Sequence, residues 1–416
     1  MTRMTRFAVT LAVTAGGMLA ARAASAQDAG TTPTCASLTN PVYVTGSSAF
    51  EATLEAFAVK LSSAGETSPI TVVGQRPGSC AGVNAIATNA DMTGTANYYT
   101  LDSSNKFVRN TCTLPASGQK ADIAVSDVFY GSCGAAAPAT QPATLKDFPG
   151  PVQAIEFIVN KNNTTTGYIT AAEAQDLYGC GAGANISTFN QANGIFCRDA
   201  NSGTQIILTD NIGLSPAALT SSICVSVSGT MMPTSVAGYA TANAAVGMLS
   251  ADNYDLNRTT LGALAFAAAG QTKAYYTDST SSSRDRQNVR DGHYPVWGYE
   301  HMFAYADSSG TPTSANAARV INIINGVVSD PAVGDYVTLE ATAGTIPVCA
   351  MSVKKTNDLP GYLSPATATC TCAFVKAATG TAPASCVACG GGSDGGADAA
   401  VGGCAGGKTC HSGFCE

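Results

Sequence analysis

Short apolar strands alternate with helices from Pro41 to Asp127 of this chain. Segments 41–45 and 70–73 are apolar runs of strand length, and each leads into a small polar loop followed by a helix. A third run, 122–125, stops at Ser126 and Asp127. Strands that alternate with helices build α/β folds, in which loops at the carboxyl ends of strands carry the functional groups. The sequence therefore predicts an α/β fold with its site in these loops.

The segment 198–205 has the features of an anion site. Ser202 is a favourable helix N-cap, and Gln205 three residues later completes the pattern of a capping box. The first turn of such a helix presents free N–H groups and the positive end of the helix dipole, and Gly203 lets a ligand approach the main chain. Arg198 adds a planar fork of donors that fits a tetrahedral oxyanion. Plain helix capping without a ligand is the alternative.

Similar patterns mark other helix starts. Ser48 with Glu51 precedes a helix whose apolar residues fall on one face, and Thr170 with Glu173 opens another. Ser79 is the predicted cap of a third helix. Free first-turn N–H groups are thus expected at several loops.

The rest of the chain continues this order. The apolar run 152–159 predicts a strand through the middle of a sheet, and 315–328 predicts a helix that buries one stripe. Segments 236–249 and 261–274 are apolar, but their periodicity leaves helix and strand open.

Segment 1–26 has the pattern of a secretory signal peptide: a basic start, an apolar core and an Ala-Ser-Ala cleavage site. No later segment is long and apolar enough to cross a bilayer, so we expect an exported protein without a membrane anchor. The formal net charge of −7 offers no basic field for nucleic acid. It leaves a small anion open as ligand, because helix N-termini bind anions without net positive charge.

Fifteen cysteines in an exported chain predict disulfides, with one cysteine left over. From about residue 360 the composition shifts toward Gly and Cys, and 360–416 is expected to form a separate small tail. Zinc binding through Cys386 and Cys389 is the alternative there, because two cysteines at this spacing are common zinc ligands.

Nothing in the sequence indicates an enzyme. The three histidines, at 293, 301 and 411, are scattered. A hydrolase that used Ser48 or Ser202 as nucleophile would need a base that no motif supplies. We therefore predict no catalysis, no metal and no cofactor.

Taken in order, the loops resemble those of the periplasmic phosphate-binding proteins of high-affinity phosphate ABC importers, over about positions 41–348. Segments 168–179 and 291–295 are similar to family landmarks outside the site. The ligand-binding residues that the resemblance implies lie in four loops: Ser47, Ser48, Ala49 and Phe50; Gly78 and Ser79; Ser126 and Asp127; and Arg198, Ser202, Gly203 and Thr204.

Two positions depart from the family pattern. Ala49 stands where the family usually has Thr, and Ala200 stands where an acid usually braces the arginine. Asp199 lies beside that position instead. We also expect a disulfide between Cys180 and Cys197 that would hold the fourth loop in place.

The resemblance implies a type 2 periplasmic binding protein fold, with two α/β lobes joined by two crossing strands and the ligand in the cleft. The first lobe would comprise 40–150 and 300–348, and the second lobe would comprise 151–299. Hinges would lie near 149–155 and 295–299.

The implied function is that of an exported, monomeric receptor that binds phosphate or a related small oxyanion without catalysis, with an ABC permease as partner. Asp127 would favour an anion that keeps a proton to donate, since a carboxylate repels an aprotic one. A helix N-cap is the alternative role for Asp127. The alternative function is a surface or matrix protein that keeps the two-lobed scaffold and binds partners through the Cys-rich tail.

Overall fold

The computed structural model describes residues 32–63, 67–102, 107–186, 188–389, 404 and 407–416. The predicted signal peptide, 1–26, lies outside the described residues. Within them the strands are β1 Pro41–Gly46, β2 Thr71–Gln75, β3 Asp91–Met92, β4 Thr95–Leu101, β5 Phe107–Thr113, β6 Gln119–Lys120, β7 Ile123–Ser126, β8 Leu145–Asn160, β9 Tyr168–Thr170, β10 Phe196–Cys197, β11 Val225–Ser226, β12 Val246–Ser250, β13 Leu261–Ala263, β14 Ala265–Ala267, β15 Trp297–Tyr305, β16 Val353–Lys355, β17 Leu363–Pro365, β18 Cys410–His411 and β19 Phe414–Cys415.

The α-helices of the described residues alternate with these strands over most of the chain. They are α1 Glu51–Leu61, α2 Ser79–Ala87, α3 Ala171–Cys180, α4 Gly203–Ile212, α5 Met232–Ala237, α6 Ala251–Asn257, α7 Gln287–Arg290, α8 Ala315–Ile324, α9 Tyr336–Ala343 and α10 Thr371–Thr379. The α/β order predicted from the sequence is confirmed. None of these helices is long and apolar enough to span a membrane.

The main sheet has nine strands and is built around β8 and β15. Its order is β12-β8-β15-β7-β1-β2-β4-β5, with β13 also paired to β8. β1 is parallel to β2 and β7, whereas β15 is antiparallel to β7 and β8. β8 pairs with β15 as far as Ala154, and residues 155–160 pair with β12 and β13. The apolar run 152–159 therefore lies in the strand that connects the two halves of the sheet.

One irregularity interrupts the β8–β15 pair. The register shifts between Tyr299 and His301, where Gly150 and Pro151 on β8 face the single residue Glu300 on β15. Pro151 has no N–H to donate to the ladder. An extra residue of this kind is a β-bulge, which changes the direction of nearby side chains. The bulge thus lies in the long strand pair that links the two halves.

Helix α8 is shorter than the periodicity predicts. It ends at Ile324, with Asn325 as its C-cap, and Gly326 has a φ of 64°. Val327 is consequently 70% exposed and lies outside the apolar stripe. The segments left open between helix and strand contain the end of α5 and β12, and then β13 and β14.

The cysteines form seven disulfides, which are typical of an oxidising compartment. They are Cys35–Cys112, Cys80–Cys133, Cys197–Cys224, Cys349–Cys370, Cys372–Cys386, Cys389–Cys410 and Cys404–Cys415. The predicted Cys180–Cys197 bond is wrong: Cys197 bonds Cys224 across 27 residues, and Cys180 is free and exposed. Cys224 directly precedes β11, and β11 pairs with β10, the strand that contains Cys197.

The first part of the tail packs against the body instead of forming a separate module. Helix α10 contacts α9, and Phe374 in α10 is 1% exposed. The Cys349–Cys370 bond ties the start of α10 to the segment after α9. Cys386 and Cys389 belong to two different disulfides, so the two residues do not offer the thiolate pair that zinc requires.

Candidate functional site

Asp127 is the residue at which the four predicted loops meet. Its carboxylate is buried and accepts hydrogen bonds from Ser47 Oγ and, at 3.4 Å, from Thr204 Oγ1. Its backbone N–H donates to Ser79 Oγ at 3.3 Å. These partners follow β1, begin α4 and begin α2, while Asp127 itself follows β7. The structure therefore brings one residue from each loop into direct contact.

Glycine at position 203 makes this close approach possible. A Cβ at Gly203 would lie 2.5 Å from Ser79 Oγ and 2.8 Å from Asp127 Oδ2. Both distances are far inside van der Waals contact, so any larger residue would push α4 away from Asp127. The start of α4 is thus packed against the end of β7 without a side chain between them.

Asp127 does not cap a helix, which was the alternative role predicted for it. The next helical element begins at Tyr130, and no side chain forms a cap hydrogen bond there. Asp127 instead uses its two oxygens to accept from hydroxyl donors in other parts of the chain. Its position is set by tertiary contacts.

The capping box predicted at Ser202 and Gln205 is wrong. Ser202 forms no side-chain cap, and Gln205 Oε1 accepts the backbone N–H of Arg198 at 2.9 Å. Gln205 Nε2 donates to Pro216 O at 3.0 Å. The first turn of α4 is left without a side-chain cap, and Gln205 holds the backbone of Arg198 in place.

Two other predicted caps also differ. Helix α1 has Phe50 as N-cap with no side-chain hydrogen bond, and Ser47, not Ser48, accepts the N–H of Ala49. Helix α2 begins at Ser79 itself, after an N-cap at Gly78. Ser47 Oγ also donates to Asp127, and Ser79 Oγ accepts the N–H of Asp127, so these two hydroxyls join their loops to Asp127.

The capping box of α3 is confirmed. Thr170 Oγ1 accepts the N–H of Glu173 at 3.2 Å, and the Glu173 carboxylate accepts the N–H of Thr170 at 2.9 Å. No residue of the four loops takes part in this capping box. The pattern is therefore satisfied locally where no ligand was predicted.

Arg198 is a buried cation that forms no salt bridge in the described part of the chain. It is 8% exposed, and its Nε has no hydrogen-bond partner there. Asp199, beside the place of the missing acid, accepts the N–H of Asn201 at 3.0 Å and does not brace the guanidinium. Burial lowers the pKa of Arg198, while the negative charges of Asp127 and Asp199 oppose that shift.

A cavity of about 150 Å³ lies in front of Arg198. Ser48 and Ala49 line it from the start of α1, and Asp252 lines it from α6. Two further acids on its wall, Glu51 and Glu55, form salt bridges with Arg109. Arg109 is held by these two acids, whereas Arg198, the other arginine that lines the cavity, forms no salt bridge with the described residues.

The predicted site residues fall into three groups. Asp127 is in contact with Ser47, Ser79, Gly203 and Thr204, whereas Ser48, Ala49 and Arg198 line the cavity. The others serve the scaffold: Phe50 is buried in a core cluster, Gly78 and Ser202 are helix N-caps, and the Ser126 hydroxyl bonds the backbone of Val128.

Glu300 is a buried acid beside Asp127 that the sequence reasoning missed. Its side chain is fully buried, and neither carboxylate oxygen has a hydrogen-bond donor among the described residues. Burial raises the pKa of Glu300 well above its usual value, and the charges of Asp127 and Asp252 raise it further. Burial also raises the pKa of Asp127, against the hydrogen bond from Ser47 and the charge of Arg198.

The histidines do not complete a nucleophilic site. His301 Nδ1 lies 2.8 Å from Asp147 Oδ2, and the His293 ring stacks on Tyr275. Neither forms the serine–histidine hydrogen bond on which a hydrolase depends. Among the loop serines, Ser47 donates its hydroxyl to an acid, Asp127.

Solved structures similar to this one are proteins described as phosphate-binding. A phosphate ABC transporter substrate-binding protein from Clostridium perfringens, with phosphate bound, superimposes with a TM-score of 0.50 at 16% identity, over 74% of this chain and all of that one. An ABC-type phosphate transport receptor from Vibrio cholerae gives 0.45 at 19% identity, over 73% of this chain and 99% of its own. A phosphate-binding protein from Stenotrophomonas maltophilia gives 0.42 at 13%, over 74% and 90%.

The fold is that of a two-lobed periplasmic binding protein of type 2. This confirms the fold class predicted from the sequence. Comparison with protein-family models found no match, and comparison with curated proteins found none either. At these low identities the likeness concerns the fold, so the ligand has to be argued from the residues of this chain.

Proposed function

We propose that this protein is an exported receptor that binds phosphate, or a related small oxyanion, between its lobes and performs no catalysis. The observation that carries the proposal is the Arg198 guanidinium, which is buried, forms no salt bridge in the described ranges and has no hydrogen-bond partner there for its Nε. Moving a charge out of water without a partner costs roughly several kcal/mol of folding free energy. An anionic ligand would supply that partner.

The surroundings of Arg198 suit a tetrahedral oxyanion. The uncapped first turn of α4 offers backbone N–H groups and the positive end of a helix dipole. Ser48 adds a hydroxyl from the other side of the cavity. A planar guanidinium can donate two parallel hydrogen bonds to such an anion. The proposed donors to the anion are therefore Arg198, the start of α4 and the loop before α1.

Asp127 accounts for the choice among oxyanions. Monohydrogen phosphate carries a proton that a carboxylate can accept, whereas sulfate has none to donate at neutral pH. A buried carboxylate that faced an aprotic anion would leave two acceptors in contact, which is unfavourable. The proposed receptor consequently prefers phosphate or arsenate over sulfate.

The proposed division into lobes follows the strand order. The first lobe would take 40–150 and 300–348, and the second lobe would take 151–299, with hinges in 149–155 and 295–299. Two observations support these hinges: the β8–β15 bulge, and the change of partner on β8 after Ala154. Closure of the lobes on an anion, and delivery to an ABC permease, would complete the transport function.

Calorimetric titration of the mature chain with phosphate, sulfate and arsenate tests the proposal. We expect saturable binding of phosphate and arsenate and much weaker binding of sulfate. Absence of binding to all three would reject the receptor and favour the alternative, a surface or matrix protein that acts through its Cys-rich tail.

Substitution of Asp127→Asn tests its selective role in the same titration. The asparagine amide can donate an N–H to the anion, which a carboxylate cannot do. Sulfate, which has no proton to donate, therefore no longer binds at a disadvantage. We expect the preference for phosphate over sulfate to fall about tenfold or more, from the roughly 1.5–3 kcal/mol of one charged hydrogen bond. The matched control is Asp199→Asn, because Asp199 is an exposed acid next to Arg198. An equal effect in both variants would contradict the assignment.

A further inference from the structure

Glu300 lies directly behind the proposed anion site. It is on β15, and the β15–β7 register that pairs His301 with Ser126 places Glu300 next to Asp127. The bulge at Gly150 and Pro151 on β8 faces it from the other side. Glu300 is therefore held in the main sheet on the strand between β8 and β7, and its side chain is fully buried.

The charged groups around Glu300 are mostly acids. Asp127 faces it from the end of β7, and Asp252 faces it from α6, while Arg76 acts on it from the loop after β2. Arg76 donates to the Gln75 carbonyl at 3.0 Å and more weakly to the Tyr99 hydroxyl at 3.5 Å. No cation therefore forms a salt bridge with Glu300 among the described residues.

Ionising both of two neighbouring buried carboxyl groups is unfavourable, because like charges at short range in a poorly solvated site repel strongly. Asp127 already has hydroxyl donors in Ser47 and Thr204, which favour its charged form. Glu300 has no donor for either oxygen in the part of the chain that the structure describes. A proton on Glu300 would let this carboxyl donate a hydrogen bond to the neighbouring Asp127 and would remove the repulsion.

We propose that Asp127 and Glu300 share one proton, and that anion binding depends on whether this carboxyl pair keeps that proton. The inference rests on the proposed function, since it assigns a partner to Asp127, the residue proposed to face the anion. Glu300 acts through Asp127 and touches no ligand, so it is a positioning residue.

The shared proton leaves the pair with a single negative charge. A carboxylate has about four lone-pair sites, so Asp127 can accept from Ser47, Thr204 and Glu300 and still accept the proton of monohydrogen phosphate. If the shared proton is lost, a second negative charge appears beside the bound anion. Affinity for phosphate should then fall as pH rises.

The direction of the pH dependence follows from the direction in which the pKa of Glu300 is shifted. Burial and neighbouring acids raise the pKa of Glu300 above 4.5, so its neutral form persists to higher pH in the folded protein. Binding is strong while the pair keeps its proton and weakens above the pH at which the proton leaves. A single linked proton gives a slope of about tenfold in affinity per pH unit.

The test measures phosphate affinity against pH, upward from neutrality, in the wild type, Glu300→Gln and Glu340→Gln. Glutamine is neutral at every pH and can donate to Asp127, so we expect Glu300→Gln to lose the alkaline fall in affinity. Glu340 is an equally buried acid with a raised pKa, on α9, outside the proposed donors to the anion and the carboxyl pair, so its variant should keep the fall. A wild-type profile without a fall, or the same slope in Glu300→Gln, would overturn the proposal.

Infrared spectroscopy of the ligand-free protein gives a second readout. A protonated carboxyl has a C=O stretch distinct from carboxylate bands, and the wild-type minus Glu300→Gln difference spectrum at neutral pH should contain it. Its absence would overturn the shared proton. This experiment uses no ligand, so it measures the protonation of the carboxyl pair even if the protein binds no oxyanion. Failure of the proposed function and failure of the shared proton can therefore be told apart.

Discussion

Two buried arginines in the segment 151–299 differ in how their charge is satisfied. Arg286 is 2% exposed and forms salt bridges with Asp255 at 2.6 Å and Asp278 at 3.0 Å. Arg198 is 8% exposed and forms none with the described residues. Burial acts to lower the pKa of both arginines, but the acids around Arg286 raise its pKa overall, whereas the pKa of Arg198 stays lowered.

We infer from this difference that Arg286 is a structural cation and that Arg198 is the cation that pairs with the proposed ligand. The chain surrounds Arg286 with acids, and Arg258 shares both of them, which makes a closed network. At Arg198 the chain fixes the backbone through Gln205 and leaves the head group open. A buried arginine that the fold does not neutralise is the stronger indication of a binding site.

The largest expected effect breaks the closed network. Arg286→Leu leaves Asp255 and Asp278 without their buried partner, so we expect a loss of about 3–5 kcal/mol in the free energy of unfolding. Arg198→Leu removes a charge that has no salt-bridge partner among the described residues, and its loss should be much smaller or absent. Denaturant unfolding of both variants measures the contrast. Equal destabilisation would show that Arg198 is structural as well.

A second effect concerns the disulfide next to Arg198. Replacing Cys197 and Cys224 together by Ser opens a loop of 27 residues, for which we expect a loss of about 2–4 kcal/mol in unfolding free energy. Phosphate affinity should fall as well, because Arg198 follows Cys197 directly.

The matched control is Cys180→Ser, the smallest effect in the series. Cys180 is exposed and unpaired, so the unfolding free energy should change by less than about 0.5 kcal/mol. A large loss in Cys180→Ser, with little change in the Cys197 and Cys224 variant, would restore the pairing that the sequence suggested.

Features that depend on neighbouring residues could be predicted from the sequence. The alternation of strands and helices, and the capping box of Thr170 with Glu173, involve contacts within a few residues. The long strand β8 was also predictable from its apolar run. The fold class followed from these elements and from the order of the loops.

Features that depend on distant segments could not be predicted in this way. The spacing of Gln205 fits a capping box, but its side-chain amide instead accepts the N–H of Arg198 and donates to the carbonyl of Pro216. Cys197 pairs with Cys224 because β10 and β11 are adjacent, which the sequence does not reveal. Glu300 matches no motif; its one signal was an acid inside the apolar run 297–305.

The most direct test of the central claim compares Arg198→Gln with Arg109→Gln in phosphate titrations. Both arginines line the same cavity, but Arg109 is already paired with Glu55 and is 45% exposed at its side chain. We expect Arg198→Gln to lose about 2 kcal/mol or more of binding free energy, roughly 30-fold in affinity, and Arg109→Gln to lose far less. Undiminished phosphate binding in Arg198→Gln would contradict the assignment of Arg198 as the anion's partner.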